Sequence, residues 1–306
     1  MRGNHISREE LAVEEDAGMQ VFRAYVEIAK PRSIALLLFT GIGGAIFAVG
    51  EEVFHNPTPL LVAVIFSGTC ATAGANMLTS YLDREVDSKM LRTKKRPLPA
   101  GRIAPPEKAL YSGLFLVSLS LAASSTVNLL CTFLIFLAVL DNVLVYSRFL
   151  KRKNPLNILF GSFSGGAPVL VGYAAVTGTL TLSAFLLAAV VVLWIPTHIW
   201  SLAIRFKEDY RRAKVPMLPT LVEEKKAVRC IAFTSTLLVA FSFLLYMTDG
   251  LGWGYLFSAL GLGAAILTLN VFLALQPTGK NAWIVYKYSS PYLGLLFLAI
   301  ILDVLL

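Results

Sequence analysis

The chain has 306 residues, 56% of them apolar and only 15% charged, where an ordinary soluble domain is roughly a quarter charged. That balance excludes a water-soluble globule and leaves an all-α protein that crosses a membrane several times. A net charge of +8 would suit nucleic acid, but all 27 Lys and Arg residues fall in polar segments between apolar runs. Membrane orientation accounts for them there, so no nucleic-acid partner is expected.

Residues 1–33 are polar and amphipathic. Acids cluster at Glu9, Glu10, Glu14, Glu15 and Asp16, and Val21, Phe22, Tyr25, Val26 and Ile28 give one apolar face. The segment reads as a short helix lying on the membrane rather than a cleavable signal. A bilayer core about 30 Å thick takes about 20 apolar residues per helix. Nine such spans follow, at 34–50, 59–82, 109–126, 128–147, 157–177, 182–204, 230–248, 252–275 and 288–306, so that 34–306 forms one transmembrane domain. With alternating spans, every Lys and Arg lies at the N-terminus or after spans two, four, six and eight. None lies at 51–58, near 127, at 178–181, at 249–252 or at the C-terminus. Positive loops stay inside. The N-terminus is therefore expected in the cytoplasm and the C-terminus on the opposite side of the inner or plasma membrane. Small residues crowd span five (Gly161, Ser162, Ser164, Gly165, Gly166, Ala167), allowing close helix approach or a cavity wall. Cys70, Cys131 and Cys230 show no metal or disulfide spacing and read as packing residues.

Two cytoplasmic loops, 83–108 and 205–229, are long for a helical bundle, and such loops are usually functional. They echo each other: acid, base cluster, then Arg96-Pro97-Leu98-Pro99 in one and Pro216-Met217-Leu218-Pro219 in the other. Thr79, Asp83 and Asp87 are spaced four apart and share a helical face, with Asn76 a turn earlier. Two carboxylates a turn apart repel. A Mg2+ ion shared with phosphate oxygens would relieve them. Arg92, Lys94, Lys95 and Arg96 follow closely; Tyr146, Arg148, Lys151, Arg152, Lys153 and Asn157 end span four and begin span five; Lys207, Arg211 and Arg212 follow span six. Carboxylates for a metal, ringed by cations for phosphate, are what a diphosphate needs. Asp141 and Asn142 lie inside span four. His198 sits between Trp194 and Trp200 beside Pro196, which frees a backbone carbonyl. A transporter of an anionic metabolite is the rival reading, but it calls for charges deep in several spans rather than at one membrane face.

The run Thr79-x3-Asp83-x3-Asp87, then Arg92 to Gly101 containing Arg96-Pro97-Leu98-Pro99, resembles the first signature of the UbiA superfamily of intramembrane prenyltransferases, with Thr79 where that signature has Asn. Lys151 to Ile158, Gly172 to Gly178, Trp194-x3-His198-x-Trp200 and Lys207-Glu208-Asp209-Tyr210 are most similar to the branch that makes haem O from haem B. The likeness covers residues 30–220. It implies nine helices around a central cavity with a cytoplasmic cap, an isoprenyl diphosphate donor, a hydrophobic acceptor in the bilayer, and Mg2+. The acceptor would be haem B, with a quinone precursor, a chlorophyll-like molecule or an archaeal glycerolipid as alternatives. By the same resemblance Asp83, Asp87 and Asp209 hold the metal. Lys30, Arg92, Lys153 and Asn157 bind the diphosphate, with Asn76, Thr79, Tyr146, Arg148 and Lys207 in support. His198, Asp141 or a water is the closing base.

Overall fold

Residues 8–50, 58–248 and 251–306 are described by a computed structural model, with side chains from 18 in the first stretch and 64 in the second. Helix α1 (Arg8–Ala29) precedes α2 (Pro31–Val49), α3 (Thr58–Lys89), α4 (Glu107–Ser125) and α5 (Leu129–Leu140), which runs on as a π-helix over Asp141–Leu150. Then come the short α6 (Asn157–Phe160), α7 (Phe163–Thr177), α8 (Leu182–Arg205), the short α9 (Lys207–Arg212) and α10 (Leu218–Leu221), α11 (Glu224–Tyr246), α12 (Trp253–Leu275) and α13 (Gly279–Leu305). Among the described residues, eight helical stretches are long and apolar enough to cross a membrane. The other expected span, 59–82, lies in the 32-residue α3, which is not among those eight, so nine remains the sequence's expectation.

The long helices form a closed ring. α2 packs on α3 and α13, neighbours in sequence pack on one another, and α7 lies against α2, α5 and α8. With lipid outside, helices associate through close packing of small residues, and α2 meets α7 in that way. A Cβ at Gly172 would run into the Gly41 carbonyl, and one at Gly44 into that of Val169. Span five therefore serves both expected purposes: Gly172 gives close approach, and Ser164 and Ala167 line a cavity. The three cysteines are free; Cys70 and Cys131 are buried and Cys230 partly so.

The two long polar loops are ordered by burial. α3 extends past the expected span end and carries Asp83 and Asp87 on regular helix. Leu98 and Ile103 of the following loop bury against Ala24 and Ile28 of α1 and Met77 of α3. On the other face of α1, Val21, Phe22 and Val26 stay exposed. Tyr210, Ala213, Val215 and Met217 of the second loop pack with Val86, Met90 and Trp200. The two loops thus cover one end of the bundle as a cap.

Candidate active site

Asp83 and Asp87 sit one turn apart on α3 and are only 6% and 5% exposed. Charges so buried need partners, and each has a cation from a different part of the chain. Lys151 Nζ lies 2.5 Å from Asp83 Oδ2, and Arg96 Nη1 lies 2.8 Å from Asp87 Oδ2. Lys151 is delivered by the π-helical end of the fourth span: its N–H bonds Tyr146 O, five residues back, instead of the carbonyl four back. Burial alone would lower the Lys151 ammonium, but Tyr146, Asp83 and Asp87 outweigh it and hold its pKa above the ordinary lysine value.

A third cation, Lys30, arrives from the junction of α1 and α2. Pro31 disfavours a right-handed helical conformation for the residue before it, and Lys30 takes φ 56°, ψ 69°. That left-handed turn costs about 1–2 kcal/mol and swings the side chain to Asn76 Oδ1, 3.4 Å away, while Asn76 Nδ2 donates to Ala29 O at 2.9 Å. Desolvation lowers the Lys30 pKa to about 8, helped by Arg96 and Lys151 and opposed by Asp83 and Asp87. Thr79 instead turns its hydroxyl onto the Asn76 carbonyl of its own helix, 3.1 Å away. Asn76 is therefore the residue that reaches across at this signature.

Lys30 lines one cavity and its partner Asn76 another, and the two share no lining residue. Asp87, Arg96 and Pro97 line the first with Lys30; it holds about 410 Å3, counting space open at its mouth. Asn76 stands at the edge of the second, about 790 Å3 on the same measure, walled by apolar residues of α2, α3, α5 and α7. From Asn76 to Val64 this second cavity follows α3 for about 18 Å at 1.5 Å per residue. A cavity carrying charged groups thus lies beside an apolar shaft, linked to it by the Lys30–Asn76 hydrogen bond.

The donor set fits Mg2+, which takes one or two carboxylates and completes its shell with water and phosphate oxygens. Asp83 Oδ1 is buried without a hydrogen-bond partner, an oxygen left for such a ligand. The expectation that Asp209 completes a three-carboxylate site is corrected: among the described residues no such cluster of three exists. Asp209 accepts from the backbone N–H groups of Leu91 and Arg92, both at 3.1 Å, and so ties the second loop to the first.

Other expected residues divide. Tyr146 lies beside Lys151, whose Nζ is 5.5 Å from the ring centre. Asn157 is fully buried and donates to Lys151 O at 3.5 Å. Arg148 and Lys153 are exposed and form no ion pair among the described residues, because the π-helix turns Lys151 inward and its neighbours out. Arg92 stacks over Phe206 at 5.4 Å, and Lys207 pairs with Glu224 at 3.4 Å, so neither joins the aspartates. Asp141 accepts from Ser164 N at 3.0 Å at the start of α7, a structural role.

His198 lies at the α8–α13 contact rather than in the apolar cavity, sandwiched between Trp194 (4.6 Å) and Tyr286 (4.3 Å). Ser289 Oγ donates to Tyr286 O at 2.7 Å and so accepts from His198 Nδ1, also at 2.7 Å. That assignment leaves Nε2 as an acceptor. Lys151, Arg96 and Ser289 were not singled out by spacing. Lys151 and Arg96 sit in runs of like residues where nothing local selects one, and Ser289 is 91 residues from its partner.

The model of the UbiA prenyltransferase family matches residues 36–300. The chain is 45% identical over 282 residues to the protoheme IX farnesyltransferase of Desulforudis audaxviator strain MP104C, covering 92% of this chain and 88% of that one. It is 42% identical over 289 residues to that of Symbiobacterium thermophilum, covering 93% and 95%. Among solved structures, its fold is similar to a digeranylgeranylglyceryl phosphate synthase (TM-score 0.77, 21% identity, 93% and 98% covered). It is also similar to a UbiA homologue from Archaeoglobus fulgidus bound to GPP and Mg2+ (TM-score 0.64, 15% identity, 90% and 99% covered). An acidic helix face ringed by cations beside an apolar shaft is thus joined to close sequence kinship, and the chain belongs to the UbiA prenyltransferase family.

Proposed function

We propose that the protein transfers a farnesyl group from its diphosphate to haem B, giving haem O, with the mouth of the site at the cytoplasmic face. The N-terminus is then cytoplasmic and the C-terminus on the other side. The observation that carries the donor site is the Lys30–Asn76 contact, which sets a cavity lined by charged groups beside an apolar one. A diphosphate with a long hydrocarbon tail matches both halves. Kinship to protoheme IX farnesyltransferases supports haem B as the acceptor.

Asp83 and Asp87 would hold Mg2+, which when bound supplies positive charge to the leaving diphosphate. Lys30, Lys151 and Arg96 stabilise the same growing charge through their own N–H groups. The shaft walls, with residues such as Leu37, Val64, Ile135 and Val171, keep bulk water from the allylic cation after the C–O bond breaks. The terminal carbon of a porphyrin vinyl group attacks that cation. The new cation beside the ring takes a water, which loses a proton. Asp141 is engaged with the Ser164 N–H, and His198, though its Nε2 is free, lies outside the apolar cavity, so neither is assigned as the base.

The test is a panel of C5 to C20 isoprenyl diphosphates against haem B, a quinone precursor and a glycerol phosphate lipid, with products read by mass spectrometry. The expected product is haem B carrying a farnesyl group and a hydroxyl across one vinyl bond, formed only with Mg2+. Prenylation of the phenolic or glycerol acceptor alone would overturn the haem assignment. Release of no diphosphate from any donor would overturn the enzyme.

A further inference from the structure

The cations that neutralise the two aspartates are the ones a diphosphate would need. Asp83 Oδ2 is held by Lys151 and Asp87 Oδ2 by Arg96, yet Asp83 Oδ1 is buried without a partner. A divalent metal arriving alone would meet Lys151, Arg96 and Lys30 at short range and would have to displace ammonium and guanidinium groups from the carboxylates. A diphosphate arriving alone would face two carboxylates and find two of the three cations engaged. Only when both are present does every charge have an opposite partner. The carboxylates then face the metal, the three cations face the phosphate oxygens, and metal and diphosphate touch each other.

Resting on the reading of this site as a Mg2+–diphosphate site, we propose that Lys151 and Arg96 are exchangeable counter-ions. They guard Asp83 and Asp87 in the free protein and pass to the diphosphate as the carboxylates pass to the metal, so the two ligands bind weakly apart and tightly together. The attachments of the two cations suit such an exchange. Lys151 hangs on a flexible stem at the end of a π-helix whose last N–H reaches back to Tyr146. Arg96 is 39% exposed and rises from a loop held independently by Thr93, whose hydroxyl donates to Asp87 O at 2.9 Å. Neither cation needs its carboxylate to stay in place. Coupling between two ligands is reciprocal and is typically 5- to 150-fold, about 1–3 kcal/mol, so the same factor must appear from either side.

The experiment uses the full chain in detergent. Mn2+ binding is followed by the loss of its free electron-paramagnetic signal, without diphosphate. Inorganic diphosphate binding is followed by calorimetry, once in EDTA and once at saturating Mn2+. In the wild type, Mn2+ is expected to tighten diphosphate binding at least tenfold. Removing the guard should do the opposite for the metal alone: Lys151→Met and Arg96→Gln are each expected to bind free Mn2+ several-fold more tightly than wild type, while binding the Mn2+–diphosphate pair more weakly. Because Lys151→Met leaves a buried Asp83 without its partner, Arg96→Gln and the wild-type coupling carry the test should that variant not fold. Tight diphosphate binding that is independent of Mn2+, or metal-only affinity unchanged or weakened in Arg96→Gln, would defeat the exchange while leaving the site intact. No diphosphate binding under any condition would instead defeat the diphosphate site itself.

Discussion

Two sets of carboxylates in this bundle are satisfied in different ways. Asp141, Asp209 and Asp303 each accept from backbone N–H groups: Ser164; Leu91 and Arg92, with Arg212 added at 3.6 Å; and Gly252 and Tyr255. Asp83 and Asp87 are satisfied by the ends of long cationic side chains, and Asp83 keeps one oxygen without a partner. A backbone donor is part of the fold, so those three carboxylates join a helix start or a loop to its neighbour. A lysine or arginine head can move to another anion with no change of fold. The kind of donor, more than burial alone, separates structural acids here from the pair suited to ligand exchange.

Breaking the side-chain-paired set should abolish chemistry more than it loosens the fold. Asp83→Asn or Asp87→Asn is expected to cut diphosphate release by at least about a hundredfold; the melting temperature should hold in Asp87→Asn, whose partner Arg96 reaches solvent, and fall in Asp83→Asn, which leaves buried Lys151 unpaired. Full turnover in either variant would remove the distinction. Breaking the backbone-paired set should do the reverse. Asp209→Ala orphans two N–H groups and should cost about 1–3 kcal/mol, read as a lower melting temperature with a raised KM for the donor.

A pH profile sharpens the comparison at Lys30. Its pKa is lowered from 10.5 to about 8, so kcat/KM for the diphosphate should fall as pH rises through about 8, where the free protein loses this cation. Between about 8 and 10.5 the unfolded chain binds more protons at this residue, so stability should rise with pH over the window in which binding falls. Lys30→Met should flatten both trends. At the far end of the bundle, Asp303→Ala should cost about 1 kcal/mol as a lost helix cap and leave kcat unchanged. Smallest of all, Lys153→Ala should stay within about 0.5 kcal/mol in stability and leave turnover untouched, although it is two residues from Lys151.

Much of this was legible in order of residues. Hydropathy marked the helices to within a few positions, except that α3, α11 and α13 start or end further into the cap than apolar runs alone indicate. The four-residue spacing from Thr79 to Asp87 placed both acids on one face of α3. The cations were harder. The resemblance pointed to Lys153 and the end of span four to Arg148, but Lys151, at the end of the π-helix over Asp141–Leu150, is the one that reaches Asp83. The resemblance made Asp209 a metal ligand; its actual partners are two backbone N–H groups more than a hundred residues away and the nearby Arg212.

By itself, the order of residues determined that this is a helical membrane protein, which of its ends is polar, and that Asp83 and Asp87 share one helix face, because these depend on composition and on spacing within one helix. Only the tertiary structure decided which cation meets which acid, that Lys30 meets Asn76 at the edge of an apolar shaft, and that His198 is held by Ser289. Those outcomes depend on helices packing side by side, where partners distant in the chain meet and local periodicity carries no information.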